Sequence, residues 1–323
     1  MNRIRISEDP EECHRAWETV WPRSCFFDLW EVRHIFAQGF GRKPFFVMAE
    51  ENGVIRGLLA LSWIEEGGYY GQYPGEIWQQ KTWLEQNRIP VENPEIFQDL
   101  LDSVPGHLHL RYLTPDSLPL DSFPVAVDEV GYCFYPPTVE YDFSRYWQLF
   151  SGKSRKQLTR ELAPLEAHGV GYRYDHFNDL AVMFQINQDN FGETSYFFDP
   201  RFLDSFTQLA AWLREQNLLR VTTLLLGGQV AAIDLGVLWN NQYTLLAGAT
   251  NPEFPGVAKL INLHHLEWSC RIKCASVDFL CGDFGWKKRF HLTPRPLYEI
   301  KSPQIHLGAA DPETCSTELS RAR

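Results

Sequence analysis

The stretch that most constrains this chain runs from Gln242 to Phe290. Tyr243 to Ala249 is an apolar run of strand length, ended by Thr250-Asn251-Pro252. Pro255-Gly256 then opens a helical pattern in which Val257, Leu260, Ile261, His264, Trp268 and Ile272 share one face. Leu263, Leu266 and Cys270 make the opposite face apolar too, so this helix is expected to be buried almost all round. Val277, Phe279 and Cys281 alternate in a second strand that stops at Gly282-Asp283. Strand, Gly-containing loop, buried helix and strand predict a βαβ unit whose loop faces the carboxyl ends of parallel strands. Free backbone N–H groups at such a helix start suit a phosphate, which nominates Pro255, Gly256, Val257, Ala258 and Lys259 as a binding turn.

A chain of 323 residues suggests two domains, each large enough for its own core. The first half reads as a strand at Arg3 to Ile6, a helix from Pro10, and a helix over Asp28 to Ala37. Apolar strands at Pro44 to Ala49 and Val54 to Trp63 follow, joined across Asn52-Gly53 as a hairpin. Gly67 to Tyr73 continues the sheet, His107 to Leu113 is a later strand, Pro115 to Pro124 a loop, and Val125 to Tyr135 an edge hairpin. The second half repeats the plan. Val170 to Tyr174 is a strand, Leu180 to Phe191 and Phe202 to Glu215 are helices, and Leu219 to Leu226 and Gln229 to Leu238 are strands joined at Gly227-Gly228. The expected division is residues 1–142, 143–303, and a polar tail over 304–323 without fixed structure.

Composition narrows the function. A net charge of -11 argues against a general nucleic-acid binder, which needs clustered Lys and Arg on phosphates. No apolar run approaches membrane-spanning length and no secretory leader follows Met1, so a cytoplasmic protein is expected. Seven cysteines without a CxxC pair read as reduced thiols rather than a metal site, and His264 reads as a core histidine. The two Pro-Gly turns differ as phosphate sites. Gly75 is followed by Glu76, whose carboxylate would repel a pyrophosphate, whereas Gly256 is followed by Val257, Ala258 and Lys259.

The Pro255-Gly256 helix start, Asp278-Phe279 and the Gly282…Trp286-Lys287 ending resemble the GNAT superfamily of N-acyltransferases. A second match is Trp147 to Lys156, continuing through Leu162, Leu165-Glu166 and Gly169. It is similar to the Ser-x-Lys-x-Arg helix that opens the second domain in the double-domain branch, which includes Fem-type aminoacyltransferases and polysaccharide-associated acyltransferases. The resemblance covers about residues 145 to 300. It implies an α/β fold of tandem domains, each a mixed central sheet flanked by helices, with the first domain degenerate and forming an acceptor groove. It also implies transfer of an acyl group, expected to be acetyl, from acyl-CoA to an amine or hydroxyl of a sugar, peptide or small molecule, without a metal. Lys287 matches a lysine linked in Fem-type relatives to stabilising negative charge during transfer. Asp283, Asp234, Glu193 and Tyr196 are candidate proton acceptors at strand ends and corners, Asp283 foremost. Lys153 and Arg155, with Tyr196, are candidates for holding substrate. Two alternatives stand beside this reading: an aminoacyl-tRNA donor, disfavoured by acidic charge and the absence of a coiled-coil insertion, and a non-catalytic binding protein. The latter draws on Glu253-Phe254-Pro255-Gly256, which departs from the Gly-rich pyrophosphate loop of ordinary members.

Overall fold

One unit of strand, two helices and three antiparallel strands occurs twice along the chain. In the first half it is β1 (Arg3–Ser7), α1 (Pro10–Val20), α2 (Trp30–Gly39), β2 (Phe45–Glu51), β3 (Val54–Ile64) and β4 (Tyr69–Gln72). A long irregular segment leads to α3 (Pro94–Asp102), β5 (His109–Leu113) and β6 (Ala126–Phe134), and then α4 (Phe143–Gln148) and α5 (Gly152–Glu166) connect the halves. The unit returns as β7 (Val170–Tyr174), α6 (Asp179–Phe191), α7 (Pro200–Glu215), β8 (Leu219–Leu226), β9 (Gln229–Trp239) and β10 (Gln242–Thr250). The chain closes with α8 (Val257–Arg271), β11 (Ser276–Cys281), α9 (Trp286–Arg289) and β12 (Thr293–Lys301). This is a computed structural model, and it describes residues 3–117, 125–282 and 284–302. Asp283, the 304–323 tail and most of the loop over 115–124 lie outside the described residues.

Local chemistry sets these elements. Asp9 accepts from the Glu12 amide at 2.8 Å and Asp199 from the Arg201 amide at 2.8 Å, each capping a helix that begins with proline. Asn52-Gly53 and Gly227-Gly228 take the left-handed backbone that two-residue hairpins require.

The strands form an antiparallel sheet of order β1-β2-β3-β4 and a mixed one of order β5-β12-β6-β11-β10-β9-β8-β7. A single parallel bridge, Tyr70 to Leu108, links them across β4 and β5. Each half's last strand has crossed over: β6 pairs with β11, β12 pairs with β5, and the two run antiparallel to each other. Two readings from sequence change accordingly. Val125 to Tyr135 is one inner strand and not an edge hairpin, because β11 and β12 flank it. The strand β12 was not foreseen; it carries Pro294 and Pro296, which a strand interior seldom holds. They are tolerated because β5 pairs with β12 only from Tyr298 onward, so these positions have β6 alone as a neighbour.

The halves share a core. Phe36 of α2 stacks on Trp83 at 5.3 Å between centroids, and Trp83 meets Phe206 of α7 at 4.5 Å. On the opposite face of the larger sheet, Leu158 and Leu162 of α5 join Val257, Ile261 and Leu266 of α8. The helix α8 is buried on both sides, as its double apolar pattern requires.

Residues 73 to 91, which follow the first Pro-Gly turn, form no helix. Fully buried Arg33 holds this segment, donating to the carbonyls of Phe27 at 2.8 Å and Tyr73 at 3.0 Å and to Asn87 Oδ1 at 2.5 Å. Glu76 turns inward, accepting from the amides of Trp83 at 3.0 Å and Leu84 at 2.8 Å and from the Thr82 hydroxyl. A side chain of the turn is thereby tied to the segment that follows it. Arg33→Met leaves several buried acceptors unpaired and is expected to lower stability by about 3 kcal/mol or more, measured by urea unfolding. A loss under about 1 kcal/mol would show that the segment is held by packing alone.

Candidate functional site: the split between β10 and β11

The parallel strands β10 and β11 pair over only three positions, Gln242–Thr244 with Ser276–Asp278. A bulge between Leu245 and Ala247 then turns β10 away, and the strands part around a cavity of about 540 Å³. Separated strands expose unpaired backbone groups, and each buried one needs a partner. The indole of Trp83 donates to the Leu246 carbonyl at 3.2 Å, and Glu85 Oε1 accepts from the Cys281 amide at 2.8 Å. Both side chains come from the first half. The 82–88 segment thus closes the split that the second half opens.

Lys287 serves the other edge. Its ammonium donates to the carbonyls of Phe279 at 2.9 Å, Leu280 at 2.8 Å and Cys281 at 2.9 Å, and the residue is only 3 % exposed. Burial pushes its pKa down, opposed by Glu85 and other anions. All three of its hydrogens have partners, so it lines the cavity as a positive charge that fixes the end of β11. Donation to a substrate oxygen would need one of these bonds to be given up.

Among the described residues three carboxyls also line the cavity: Glu85, Glu129 and Asp234. Asp234 of β9 accepts from His265 Nε2 at 2.8 Å, and His265 Nδ1 lies 3.4 Å from the Tyr243 hydroxyl, a chain running from the cavity into the core. A Cβ on Gly248 would fall 2.0 Å from Asp234 Oδ1, so only glycine there lets the carboxylate lie across β10. Glu129 accepts from the Tyr112 hydroxyl at 3.2 Å. Burial raises the Glu85 carboxyl to about 7, with repulsion from Asp278 adding to the rise and Arg295 opposing it. Asp278 is satisfied separately, by Gln86 at 2.9 Å and Arg295 at 2.8 Å.

The nominated turn lies at one end of this cavity. Ala258 lines it, while Lys259 lines a neighbouring groove of about 470 Å³ and pairs with Glu161 at 2.5 Å. Gly256 caps α8 with φ +89 and open space where a Cβ would stand, Pro255 is exposed, and Val257 is buried. Trp286 lines both cavities, so the start of α8 sits between them. Tyr196 lines the main cavity and donates to the Thr82 carbonyl at 3.1 Å. Lys153 and Arg155 are in the first turn of α5, the former exposed and the latter half-buried, beside Ser151 and Ser154 of the second groove. Glu193 is exposed, and His264 stacks on Tyr172 at 3.9 Å as a packed ring. Among the described residues no cluster of His, Cys, Asp and Glu could hold a metal ion, and no helix is long and apolar enough to cross a membrane. Trp83, Glu85, Gln86 and His265 were missed from the sequence. The first three stand in an irregular stretch with no periodicity, and His265 stands inside a helix whose apolar pattern does not single it out.

An antiparallel meander, a bulged fourth strand, a split from a parallel fifth strand and a helix start at its mouth frame the site. Residues 152–288 match the family model described as an acetyltransferase (GNAT) domain. Residues 152–288 thus carry a GNAT-type domain, and the fold of the whole chain is shared with solved tandem GNAT structures. Among solved structures it is similar to FemX (TM-score 0.56, 10% identity, 91% of this chain and 96% of that one). It is similar also to L-PGS from Bacillus licheniformis (0.55, 12%, 90% and 91%). A tandem GNAT protein from the clavulanic acid biosynthesis pathway is a third (0.50, 11%, 96% and 100%). No curated protein matches the sequence.

The raised Glu85 carboxyl has a consequence for stability. Between its ordinary 4.5 and about 7 the folded chain keeps a proton that the unfolded chain has lost. Its contribution is therefore fully present below pH 4.5 and lost as pH rises through 7. Glu85→Gln keeps the acceptor for Cys281 without a charge. It is expected to melt a few degrees above wild type at pH 8 and equally with it at pH 4.5. A variant less stable at pH 8 would show that the ionised carboxylate is favoured in the fold.

Proposed function

We propose that the chain transfers an acyl group, acetyl as the first choice, from acyl-CoA to an amine or hydroxyl acceptor. The supporting observation is the early split of β10 from β11 with the first turn of α8 between two neighbouring cavities. A long thin donor suits that arrangement. Its phosphates would lie at the first turn of α8, where the helix dipole favours negative charge, although the Val257 and Lys259 amides there already donate to the Phe254 and Gly256 carbonyls at 3.1 and 3.0 Å. Its nucleotide end would enter the groove carrying Ser151, Ser154, Arg289 and His291. Its thioester would reach past Ala258 along the bulge of β10, where an acceptor in the main cavity can attack. Placing the donor in residues 143–303 and one wall of the acceptor site in residues 1–142 completes the division of labour. Such a donor also suits a cytoplasmic protein.

Lys287 acts here by preorganised charge: an ammonium fixed by three carbonyls raises the local potential where the carbonyl oxygen gains charge in the transition state. Lys287→Ala removes that charge and frees three carbonyls. It should lower kcat by about 100-fold or more while changing the KM for acyl-CoA little, with Lys288→Ala as the comparison. Equal losses in both, reproduced by high salt, would make the pair a general electrostatic patch.

The donor is tested by titration calorimetry and thermal shift with acetyl-CoA, longer acyl-CoAs and CoA. Wild type should gain about 2.7 kcal/mol at a hundred times the dissociation constant. Gly256 is unsuited to a probe substitution because its positive φ would strain any side chain. Ala258 is exposed, so Ala258→Glu places a carboxylate at the phosphate site without disturbing the core. Binding should fall at least about tenfold with unchanged melting of the free protein. No binding of any CoA species, or binding of charged tRNA in its place, would overturn the proposed donor.

A further inference from the structure

We propose that Glu85, delivered across from the first half of the chain, takes the proton from the acceptor in the split, and that the acceptor is a primary amine. The inference rests on the acyl-CoA reading above and specifies the acceptor and the base.

Three observations place Glu85 in this role. It lines the cavity, it is 5 % exposed, and its Oε2 is buried without a hydrogen-bond partner among the described residues. Its other oxygen is held by the Cys281 amide at 2.8 Å, so the carboxyl is aimed, and the buried Oε2 keeps an unused acceptor position. Cys281 lies at the end of β11, next to the split where the thioester would lie. A buried carboxyl oxygen at a cavity wall with no donor is costly unless something supplies a proton.

The charged and titratable groups that bear on it are Asp278 and Cys281 on β11, Arg295 on β12 with its Nη2 3.8 Å away, and Lys287 on α9. Tyr112 on β5, Glu129 and Cys133 on β6, and Tyr196 also lie around this part of the cavity. Arg295 is engaged with Asp278, and the Lys287 hydrogens are engaged with carbonyls, so neither neutralises Glu85 fully. The balance leaves a carboxyl that changes protonation near pH 7, the property wanted in a group that accepts and returns a proton at neutral pH.

The lining also selects the acceptor. Glu85, Glu129 and Asp234 face Lys287 as the one basic side chain among the described lining residues. Such a cavity attracts an ammonium and repels phosphorylated sugars. An acceptor entering as R–NH3+ gives one proton to Glu85. The free amine forms its C–N bond to the thioester carbon, the C–S bond breaks, and the second nitrogen proton goes to the departing sulfur. The products are an amide and CoA thiol, and Glu85 releases its proton to solvent.

The test uses the full chain with acetyl-CoA and a panel of glucosamine, spermidine and glycyl-lysine amide, with N-acetylglucosamine as the hydroxyl-only comparison. Thiol release is followed from pH 5.5 to 9, and acetyl-CoA binding is measured separately by calorimetry. Wild type should acetylate at least one amine, with kcat/KM rising through an apparent pKa near 7. Glu85→Gln should bind acetyl-CoA within twofold of wild type, lose about 100-fold or more in kcat, and lose that limb of the profile. If Glu85→Gln does not fold, Glu85→Ala with added formate should recover activity as formate fills the space. An unchanged limb in Glu85→Gln, or no formate rescue in folded Glu85→Ala, removes Glu85 from the role. Acetyl-CoA bound with no amine consumed, or with N-acetylglucosamine preferred, overturns the acceptor class. Failure to bind acetyl-CoA overturns the donor reading instead, and calorimetry alone reports it.

Discussion

Two parallel strands that separate after three paired residues leave backbone groups facing a hollow, and the rest of the site follows from how those groups are satisfied. Trp83 caps the Leu246 carbonyl, Glu85 takes the Cys281 amide, and Lys287 gathers three carbonyls of β11. Had β10 and β11 stayed paired, these side chains would have no role and there would be no cavity. The split is thus held open by polar side chains from two directions. Two of the three come from the other half of the chain.

That dependence explains why the halves are interlocked. With β6 seated between β11 and β12, neither half completes its sheet alone. The exchange also brings Glu129 on β6 and Arg295 on β12 to the two sides of the Glu85 carboxyl's surroundings. The first half has no such helix start: residues 73 to 91 form no helix, and Glu76 accepts from the amides of Trp83 and Leu84. The same segment projects Trp83, Glu85 and Gln86 toward the second half.

What was legible in the sequence was periodic. The two-sided apolar helix at Val257 to Arg271, the Gly-bearing hairpins and the repeated strand-helix-helix order all follow from spacing that local physics enforces. Lys287 was legible only through its resemblance to a family segment, and its carbonyl partners were not. The strand β12 was hidden by Pro294 and Pro296, which forbid a strand only where both edges are paired. Glu85 was hidden more deeply. Thr82 to Arg88 has neither a 2.0 nor a 3.6 period, because tertiary contacts to Arg33 and Glu76 hold it and no secondary structure does. Charge reasoning on the whole chain was also blunt. An excess of acids disfavours nucleic acid, but it does not say that three of them line one cavity.

The central claim is that the donor lies in the split of the second half and not at the corresponding turn of the first. Hydrogen exchange with acetyl-CoA bound tests it most directly. Protection is expected in residues 245 to 250 of β10 and across the first turn of α8, near 257 to 260, with residues 73 to 80 exchanging as in the free protein. Protection concentrated at 73 to 80, with β10 and α8 unchanged, would contradict it.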